Sequence, residues 1–526
     1  MKKVIISIIS CMLIFALIYS FVNYNGNENN NIINPEIVAS KEANYSVSTS
    51  NYLATEVGKN ILENGGNAVD AAIAISYTLG VVQPYGSGIG GGGAMVIYNP
   101  KDNSYKFFNY YASAPVSYSS KKSSIGVPGL VAGMQKIHDE YGTVEMSKLI
   151  DPSIKYAENG FEVYDELDLM IKSYKDYLKQ DKNYLKNGNL LVKGDTLYQP
   201  ELAETLKIIQ TEGSNSFYSG SIANNIASNS YLTLKDLASY KVDEQEPVYG
   251  KFLGYDVISS PAPFGGITLI QMLKMFELTN IESPSNDSSK YLETLNSISN
   301  IAIADRVLTV ADTNFEKVDS NLLTSTDYIK TLLKNNYMEY EDDEESETTT
   351  AFSVIDSNGM IVSCTNTVGS FWGAHDTVNG IVLNACLNNF SNNSASINSY
   401  KAGKKPRTYI CPTILRKDNE TISIGTPGGA KITKILSQIL LDNIKFETDM
   451  QTAINKNRAV FLSNNVLALE KNADRENFVN VSNSKYSILY KSSTWYFGAV
   501  QVAGYSNKLG YFGATDPRRQ GSVLVK

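Results

Sequence analysis

The segment that decides the fold spans residues 339–356 and reads EYEDDEESETTTAFSVID. Its acidic first half, residues 339–347, has the composition of an exposed connector, and the following AFSVID alternates like the first strand of a new unit. Three consecutive threonines, residues 348–350, lie at the junction. If the chain is cut there, a threonine hydroxyl comes to lie beside its own free α-amino group, which can serve as its general base near neutral pH. A threonine-rich loop that simply enters a hairpin is the alternative interpretation.

The composition of the whole chain excludes several functional classes. The 526 residues are 43% hydrophobic and 19% charged, which is typical of a packed globular protein with one large domain or two modules. The formal net charge of -8 argues against binding to nucleic acid through phosphate neutralisation. Only two histidines, His138 and His375, are present, which disfavours histidine-rich metal sites and a Ser-His-Asp triad. We expect no cofactor, no metal and no nucleic-acid partner.

The N-terminal sequence predicts export. Lys2 and Lys3 precede an uncharged apolar run from Val4 to Val22, which comes close to the roughly 20 residues that span a bilayer. We therefore expect residues 1–22 to form a signal-anchor in the membrane and residues 23–42 to form an Asn-rich tether. The remainder would then lie on the extracellular face of the cell membrane. A cleaved signal peptide, which would release the protein as a secreted one, is the alternative.

The three cysteines beyond the N-terminal segment are Cys364, Cys386 and Cys411. An odd number cannot be completely paired within one exported chain. We therefore predict that they are small core residues and that they do not form a disulfide framework.

A glycine-rich run, Gly86–Gly93, follows a small-residue apolar stretch that is typical of a helix buried on every side. Such a run invites comparison with nucleotide-binding loops. A dinucleotide fingerprint, however, follows a strand and opens a helix, whereas this run follows a helix and opens the strand-like AMVIY. Close approach of the backbone to neighbouring groups is therefore the favoured interpretation.

The sequence after the threonines predicts a set of antiparallel strands. AFSVID, the bend Ser357-Asn358-Gly359 and MIVSCTNT form a strong hairpin signal. Further short strands are predicted at GIVLNA (380–385), TILRK (413–417) and ETISIG (420–425), before the helical TKILSQILLDNI. Because helices both precede and follow these strands, we predict a layered α+β fold in which helices cover a sheet sandwich.

Three of these features together indicate acyl transfer from an amide. A threonine lies at the edge of a strand after a cleavable connector. The neighbouring polar strand, residues 363–367, can present hydroxyl groups to it. The turn Pro427-Gly428-Gly429 opens a helix, and bare backbone N–H groups at such a turn are suited to stabilising an oxyanion. Nucleophile, internal base and oxyanion donors are the parts that this chemistry needs.

The chain resembles the gamma-glutamyltranspeptidase family. The motifs that carry the resemblance run in order through residues 45–520 and are GGNAVDAAIAISYTLGVV, SGIGGGG, GVPGLVAGM, TTAFSVID, GTPGG and GATDPRR. The resemblance implies the fold of N-terminal nucleophile hydrolases, a four-layer αββα sandwich. It also implies autocleavage of the precursor into a large subunit, residues 43–348, and a small catalytic subunit, residues 349–526.

The resemblance also implies roles for single residues. The family motif places the new N-terminus and nucleophile at Thr349 and the threonine that supports it at Thr367. The oxyanion glycines correspond to Gly428 and Gly429. Thr350 is the second threonine of the motif, and we place it among the residues that bind substrate.

Within the family, IGVPGLVAGMQKIHDEYG, SPAPFGGITLIQMLKM and KKPRTYICPT are most similar to the branch of capsule depolymerases. These enzymes cut gamma-glutamyl bonds of poly-gamma-glutamate and transfer the polymer to an acceptor amine. In KKPRTYICPT, Thr408 and Tyr409 replace the paired serines of glutathione-type relatives. The terminal ATDPRR, which supplies Arg518 and Arg519, fits the same branch. Thr408, Tyr409 and Arg519 are therefore candidate substrate-binding residues.

Two departures from the family pattern concern the glutamate pocket. Tyr111 stands where the family has an arginine that clamps the substrate carboxylate, and Asn389 stands where it has an acid that binds the α-amine. A mid-chain glutamate of a polymer has no free α-amine, so these changes favour a gamma-glutamyl polymer over glutathione. Hydrolysis by water and transfer to an acceptor amine both stay open.

Basic residues could replace the missing arginine, although a solvated positive loop is an equally good interpretation. The candidates are Lys401, Lys404, Lys405, Arg407, Lys431 and Lys434. Two other functions are alternatives. One is a general gamma-glutamyltransferase or amidase of the same fold with altered acyl specificity. The other is a non-catalytic relative that binds envelope polymer, which the intact Thr349 and Thr367 disfavour.

Overall fold

The computed structural model describes residues 37–285, 288–335, 348–463, 465–471, 478, 486–491 and 494–526. The predicted signal-anchor and the acidic segment before Thr348 lie outside these residues. Across the described ranges, no helix combines the length and the apolar character needed to cross a membrane. The structure differs from the prediction at the end of the tether, because Val38–Ser40 forms a strand antiparallel to Gly510–Thr515.

Two antiparallel seven-stranded sheets form the centre of the molecule. The threonine sheet, named for the strand that follows Thr349, has the spatial order Ser522–Val525, Ser46–Thr49, Thr350–Ile355, Ile361–Thr367, Gly92–Asn99, Ser104–Asn109 and Asp243–Gln245. The turn sheet, named for the strand that leads into Pro427, has the order Val38–Ser40, Gly510–Thr515, Gln501–Ser506, Glu420–Gly425, Thr413–Lys417, Tyr255–Ser259 and Val248–Phe252.

Helices cover the outer face of each sheet. The larger helices outside the threonine sheet are Tyr52–Glu63, Ala68–Val82, Leu130–Tyr141, Met146–Asn159, Asp165–Ser173, Pro200–Glu212 and Ser221–Asn229. Those outside the turn sheet are Gly266–Thr279, Ser288–Thr309, Thr326–Lys334, Ile432–Leu440 and Met450–Asn455. Separate apolar cores fill the space under each helical layer, and a third core lies between the sheets. The order is therefore helix, sheet, sheet, helix, which confirms the predicted αββα sandwich.

Hydrogen bonds between side chains also join the two sheets across their inner faces. The hydroxyl of Ser423 donates to the hydroxyl of Ser353 over 2.8 Å. The hydroxyl of Ser363 donates to the carbonyl oxygen of Ile424 over 2.9 Å. All four residues are buried, so these bonds satisfy polar groups that would otherwise destabilise the core.

The predicted hairpin is present. Thr350–Ile355 pairs antiparallel with Ile361–Thr367, and Gly359 adopts the positive φ of 82° that the Asn-Gly bend requires. The strands at Thr413–Lys417 and Glu420–Gly425 are also confirmed. The segment 380–385 differs, because only Ile381–Val382 is a strand and it pairs with Thr377–Val378 outside the two large sheets.

The glycine run brings the backbone of one strand against its neighbours. In the preceding helix, Ala68–Val82, every residue except Gly80 is buried, as predicted. A Cβ atom on Gly91 would lie 2.2 Å from the carbonyl oxygen of Thr367, and one on Gly92 would lie 2.4 Å from that of Tyr110. These contacts leave no room for a side chain, which confirms the close backbone approach predicted for the run.

The remaining elements are short and lie outside the two large sheets. Ala459–Ser463, Val466–Glu470 and Ser487–Lys491 form a three-stranded sheet, and Phe161–Glu162 with Thr196–Leu197 and Leu185–Lys186 with Asn189–Leu190 form two-stranded pairs. The short helices are Lys175–Leu178, Asn215–Tyr218, Leu234–Ala238 and Ser320–Leu323. The cysteines Cys364, Cys386 and Cys411 are buried and free, as predicted for core residues.

Candidate active site

The predicted cleavage junction lies intact and buried directly before strand Thr350–Ile355 of the threonine sheet. Thr349 is 3% exposed, and its hydroxyl donates to the carbonyl oxygen of Thr348. The hydroxyl of Thr367 donates to the same carbonyl oxygen over 2.8 Å. The backbone N–H of Gly369 in turn donates to the Thr367 hydroxyl over 2.9 Å and so orients it. The carbonyl that precedes the candidate nucleophile is therefore polarised by two hydroxyl groups.

The adjacent residue Thr350 is held from the large-subunit side. Its hydroxyl donates to the hydroxyl of Ser87, in the glycine run, over 2.9 Å. Its backbone pairs with Asn366 on the neighbouring strand. Thr350 thereby fixes the start of the strand that carries Thr349. Sequence reasoning did not single out Ser87, because only the fold brings it to this junction.

Arg519 reaches the same junction from the C-terminal segment. Its Nη1 donates to the carbonyl oxygen of Thr349 over 3.2 Å, and its Nη2 donates to that of Trp495 over 3.2 Å. Its Nε lies 4.0 Å from Oε1 of Glu166, a buried carboxyl in helix Asp165–Ser173. The neighbouring Arg518 has a structural role, because its guanidinium pairs with Glu470 over 2.7 Å. Of the two arginines in the ATDPRR motif, Arg519 therefore lies at the junction and Arg518 belongs to a buried ion-pair network.

The glycine turn adjoins the threonine strand from the opposite sheet. A Cβ atom on Gly425, at the end of strand Glu420–Gly425, would lie 3.6 Å from the Cβ of Ala351. Gly428 and Gly429 then adopt φ angles of 145° and 56°, which side-chain-bearing residues rarely adopt. The helix Ile432–Leu440 begins directly afterwards. The turn thus offers backbone N–H groups just before a helix N-terminus, and their part in stabilising an oxyanion stays a prediction.

Tyr111 and Asn389, the two residues that depart from the family pattern, contact each other. The side-chain amide of Asn389 donates to the hydroxyl of Tyr111 over 3.1 Å, and both residues are buried. Asn398 donates to the carbonyl oxygen of Asn389 over 2.7 Å and accepts a bond from the backbone N–H of Arg407 over 2.9 Å. Tyr111, Asn389 and Arg407 therefore belong to one cluster, in which the hydrogen bond between Asn389 and Tyr111 joins two uncharged groups.

Thr408 and Tyr409 surround a different cation, Arg306. The Nη2 of Arg306 donates to the carbonyl oxygen of Thr408 over 2.5 Å, and its guanidinium lies 4.2 Å from the centre of the Tyr409 ring. The Nη1 of Arg407 lies nearby, donating to the carbonyl oxygen of Val307 over 3.2 Å. The KKPRTY segment is thus anchored on the end of helix Ser288–Thr309.

The predicted basic residues before Arg407 are paired with carboxylates. Lys405 is buried, and its Nζ lies 2.8 Å from Asp243, while burial lowers its pKa. Lys401 and Lys404 lie 2.5 Å and 3.6 Å from Glu316. Each of these three lysines therefore lies close to a carboxylate. Because Lys404 and Lys405 are also buried, the interpretation as a solvated positive loop is wrong for these two residues.

The two basic residues after the glycine turn contact other groups. Lys431 lies over the ring of Tyr496, 4.2 Å from its centre. Lys434 donates to the carbonyl oxygen of Phe461 over 2.7 Å. Arg519, a candidate substrate-binding residue outside the set of six candidate replacements for the missing arginine, has a described contact to Thr349.

Comparison with known proteins extends these observations to the whole chain. A family model described as Gamma-glutamyltranspeptidase matches residues 54–525. The Capsule biosynthesis protein CapD proenzyme of Bacillus anthracis is 40% identical over 482 residues, covering 91% of this chain and 90% of that protein. The Glutathione hydrolase proenzyme of Bacillus subtilis (strain 168) is 30% identical, with 91% of each chain covered. The crystal structure of cephalosporin acylase from Bacillus halodurans aligns with a TM-score of 0.85 over 95% of this chain and 99% of that chain, at 23% identity, which shows the shared fold.

The sequence match and the fold agree with each other. The family model covers both sheets except Val38–Ser40 and Ser46–Thr49, and it includes the threonine junction, the glycine turn and Arg519. The chain therefore belongs to the gamma-glutamyltranspeptidase family, a family of enzymes.

Proposed function

We propose that this protein is an exported threonine-nucleophile enzyme that cuts gamma-glutamyl amide bonds of poly-gamma-glutamate. In this proposal it acts at the outer face of the cell membrane, after self-cleavage between Thr348 and Thr349 into the two subunits. The relatives from Bacillus anthracis and Bacillus subtilis are both named as proenzymes, which supports a processed precursor.

Self-cleavage follows from the bonds at the junction. The Thr349 hydroxyl oxygen attacks the carbonyl carbon of Thr348, and the developing oxyanion is stabilised by the hydroxyl of Thr367. The C–N bond then breaks and the nitrogen of Thr349 takes up the proton, which leaves an ester. Water hydrolyses this ester, giving a carboxylate on Thr348 and a free hydroxyl and amine on Thr349.

Turnover reuses the same threonine with its new amine. The α-amine of Thr349 accepts the hydroxyl proton while the oxygen attacks the γ-carbonyl of the substrate. In this proposal the N–H groups of Gly428 and Gly429 stabilise the oxyanion. The leaving nitrogen takes the proton, and the resulting glutamyl ester is resolved by water or by an acceptor amine. Thr350 holds the nucleophile's strand in place.

The single observation that carries the choice of polymer is the contact between Asn389 and Tyr111. Neither side chain offers a charge for the α-ammonium or the α-carboxylate that a terminal glutamate presents. A mid-polymer glutamate has a neutral amide nitrogen in place of the ammonium, which Asn389 can meet without leaving a buried charge unpaired. The 40% identity to a capsule biosynthesis protein supports the same substrate class.

The proposal predicts a substrate preference. At equal concentration of glutamyl groups, the processed enzyme should shorten poly-gamma-glutamate and release little or no glutamate from glutathione. Gel filtration of the polymer and a glutamate assay measure the two reactions. Thr349→Ala, which lacks the nucleophile, is the inactive control. Efficient glutathione turnover with the polymer uncut would contradict the proposal and favour a general gamma-glutamyltransferase.

A reversal of the two departures tests the role of the pocket directly. Tyr111→Arg combined with Asn389→Asp introduces the charge pair that a free amino acid end needs. We expect the double variant to gain glutathione turnover and to lose activity on the polymer. Unchanged preference in a folded double variant would remove Tyr111 and Asn389 from the substrate pocket.

A further inference from the structure

Glu166 is a buried carboxyl group to which the reaction above assigns no role. It lies in the first turn of helix Asp165–Ser173 and is 9% exposed. Its Oε1 lies 4.0 Å from Nε of Arg519, and the nearby hydroxyl of Tyr85 lowers the pKa of the same carboxyl. Burying a carboxyl group costs free energy, and the neighbouring arginine offsets part of that cost.

The contacts of Arg519 connect this carboxyl to the nucleophile. One edge of the guanidinium faces Glu166, while Nη1 donates to the carbonyl oxygen of Thr349 over 3.2 Å. Arg519 is 3% exposed, so water contributes little to its solvation, and the carboxylate of Glu166 is a counter-ion close to it. Removing the charge of Glu166 would leave a buried cation beside Thr349 without that compensation.

The three residues belong to different parts of the precursor. Glu166 lies in the predicted large subunit, whereas Arg519 and Thr349 lie at opposite ends of the predicted small subunit. Cleavage breaks the peptide bond that joins Thr349 to Thr348. The hydrogen bond from Arg519 to the carbonyl oxygen of Thr349 then restrains the new N-terminus. The orientation of the hydroxyl and the amine therefore depends on where Arg519 is held.

We propose that Glu166 is a positioning residue of this enzyme, whose carboxylate holds the Arg519 guanidinium against the carbonyl oxygen of Thr349 and thereby orients the nucleophile. This inference rests on Thr349 as the nucleophile, as proposed above, and does not depend on which gamma-glutamyl compound is the substrate.

The same arrangement gives the reaction a pH dependence. The groups that face Glu166 are Arg519, which is cationic, and the hydroxyls of Tyr85 and Tyr164, whose pKa values burial raises so that they stay neutral. Burial raises the pKa of Glu166 to about 7. The carboxylate is the form that holds Arg519, so turnover rises as the pH rises through about 7. The α-amine of Thr349 must also lose a proton, and it contributes a separate rise at a pH of about 7.7–8.0.

The test compares the kinetics of Glu166→Gln, Glu166→Asp and the unmodified enzyme between pH 5.5 and 9. The assay uses poly-gamma-glutamate, or glutathione if that is the compound the unmodified enzyme turns over. We expect Glu166→Gln to lower kcat about tenfold or more, to change KM less than threefold and to lose the inflection near pH 7. Glu166→Asp should retain the inflection. The control Asp165→Asn removes an exposed carboxyl from the same helix and should behave like the unmodified enzyme.

A second variant keeps the inference testable if Glu166→Gln does not fold. Tyr85→Phe removes the hydroxyl that lowers the pKa of Glu166, so the inflection should move to higher pH. A wild-type profile in folded Glu166→Gln, or an unmoved inflection in Tyr85→Phe, would overturn the inference. Self-cleavage of the same variants gives a readout that needs no substrate, so a protein that cleaves itself but turns over no gamma-glutamyl compound would refute the proposed function alone.

Discussion

Thr367 is a residue on which the proposed self-cleavage depends. Its hydroxyl links the backbone N–H of Gly369 to the carbonyl oxygen of Thr348, so it has one donor behind it and one acceptor in front. This fixes the direction of its proton, because the N–H of Gly369 occupies an acceptor position of the hydroxyl. A hydroxyl with a fixed direction is a preorganised donor for charge that develops on the carbonyl oxygen.

We therefore expect Thr367→Val to slow self-cleavage by about a hundredfold, the typical cost of losing one oxyanion donor. Valine has nearly the same shape, so the strand Ile361–Thr367 should persist. Intact-mass measurement over time follows the loss of the full-length chain, with Thr367→Ser as the control that keeps the hydroxyl. Cleavage of Thr367→Val at the unmodified rate would show that this hydroxyl has no part in the step.

The residues of the site differ in whether a contiguous sequence motif identifies them. Thr349, Thr367 and the glycine pair occur in contiguous motifs, so their identification needed only the sequence around them, and their catalytic roles remain predictions. Glu166 carries no such signal, because it becomes unusual only when the fold buries it beside Arg519. The pair of Lys405 with Asp243 could not be predicted for the same reason, since the two residues lie far apart in sequence.

At the scale of secondary structure, the glycine run is the segment that allows strand Ile361–Thr367 to approach its neighbour closely. It leads from helix Ala68–Val82 into strand Gly92–Asn99, whose backbone passes against the end of Ile361–Thr367. The sequence predicted close backbone approach at this run. The run follows a helix and opens a strand, which is the reverse of the order in a dinucleotide-binding loop. Its contact with Thr367 was not predictable, since that residue lies more than 250 positions away in the sequence.

Two glycines of this run should respond differently to the same substitution. Gly91→Ala would place a Cβ atom 2.2 Å from the carbonyl oxygen of Thr367, so we expect about 1–3 kcal/mol of destabilisation and slower self-cleavage. Gly88→Ala meets its nearest neighbour, the carbonyl oxygen of Gly80, at an ordinary 3.6 Å and should be tolerated. Thermal unfolding measures both. Equal stability of the two variants would contradict the packing argument.

At the scale of the whole molecule, the two proposed subunits share each sheet. In the threonine sheet, Ser46–Thr49 of the large subunit lies between Ser522–Val525 and Thr350–Ile355 of the small subunit. In the turn sheet, Val38–Ser40 of the predicted tether lies on one side of the small-subunit strands, and Tyr255–Ser259 and Val248–Phe252 of the large subunit lie on the other side. Cleavage therefore leaves the hydrogen-bonded ladders that join the two subunits in place.

The processed enzyme should consequently behave as one folded unit. We expect both fragments to elute together in gel filtration without denaturant and to unfold in a single urea transition, because separating them requires breaking both sheets. Mass spectrometry of the eluted peak identifies the fragments. Fragments that separate under native conditions would mean that the shared strands do not hold the subunits together.

The serine contacts between the sheets have a consequence for mechanical precision. The nucleophile belongs to one sheet and the glycine turn to the other, so their separation depends on how firmly the two layers keep their alignment. Apolar contacts alone have no preferred direction, whereas the bonds from Ser423 to Ser353 and from Ser363 to Ile424 have a set length and angle. These bonds resist sliding of one layer over the other, so they restrict changes in the separation between Thr349 and the glycine turn.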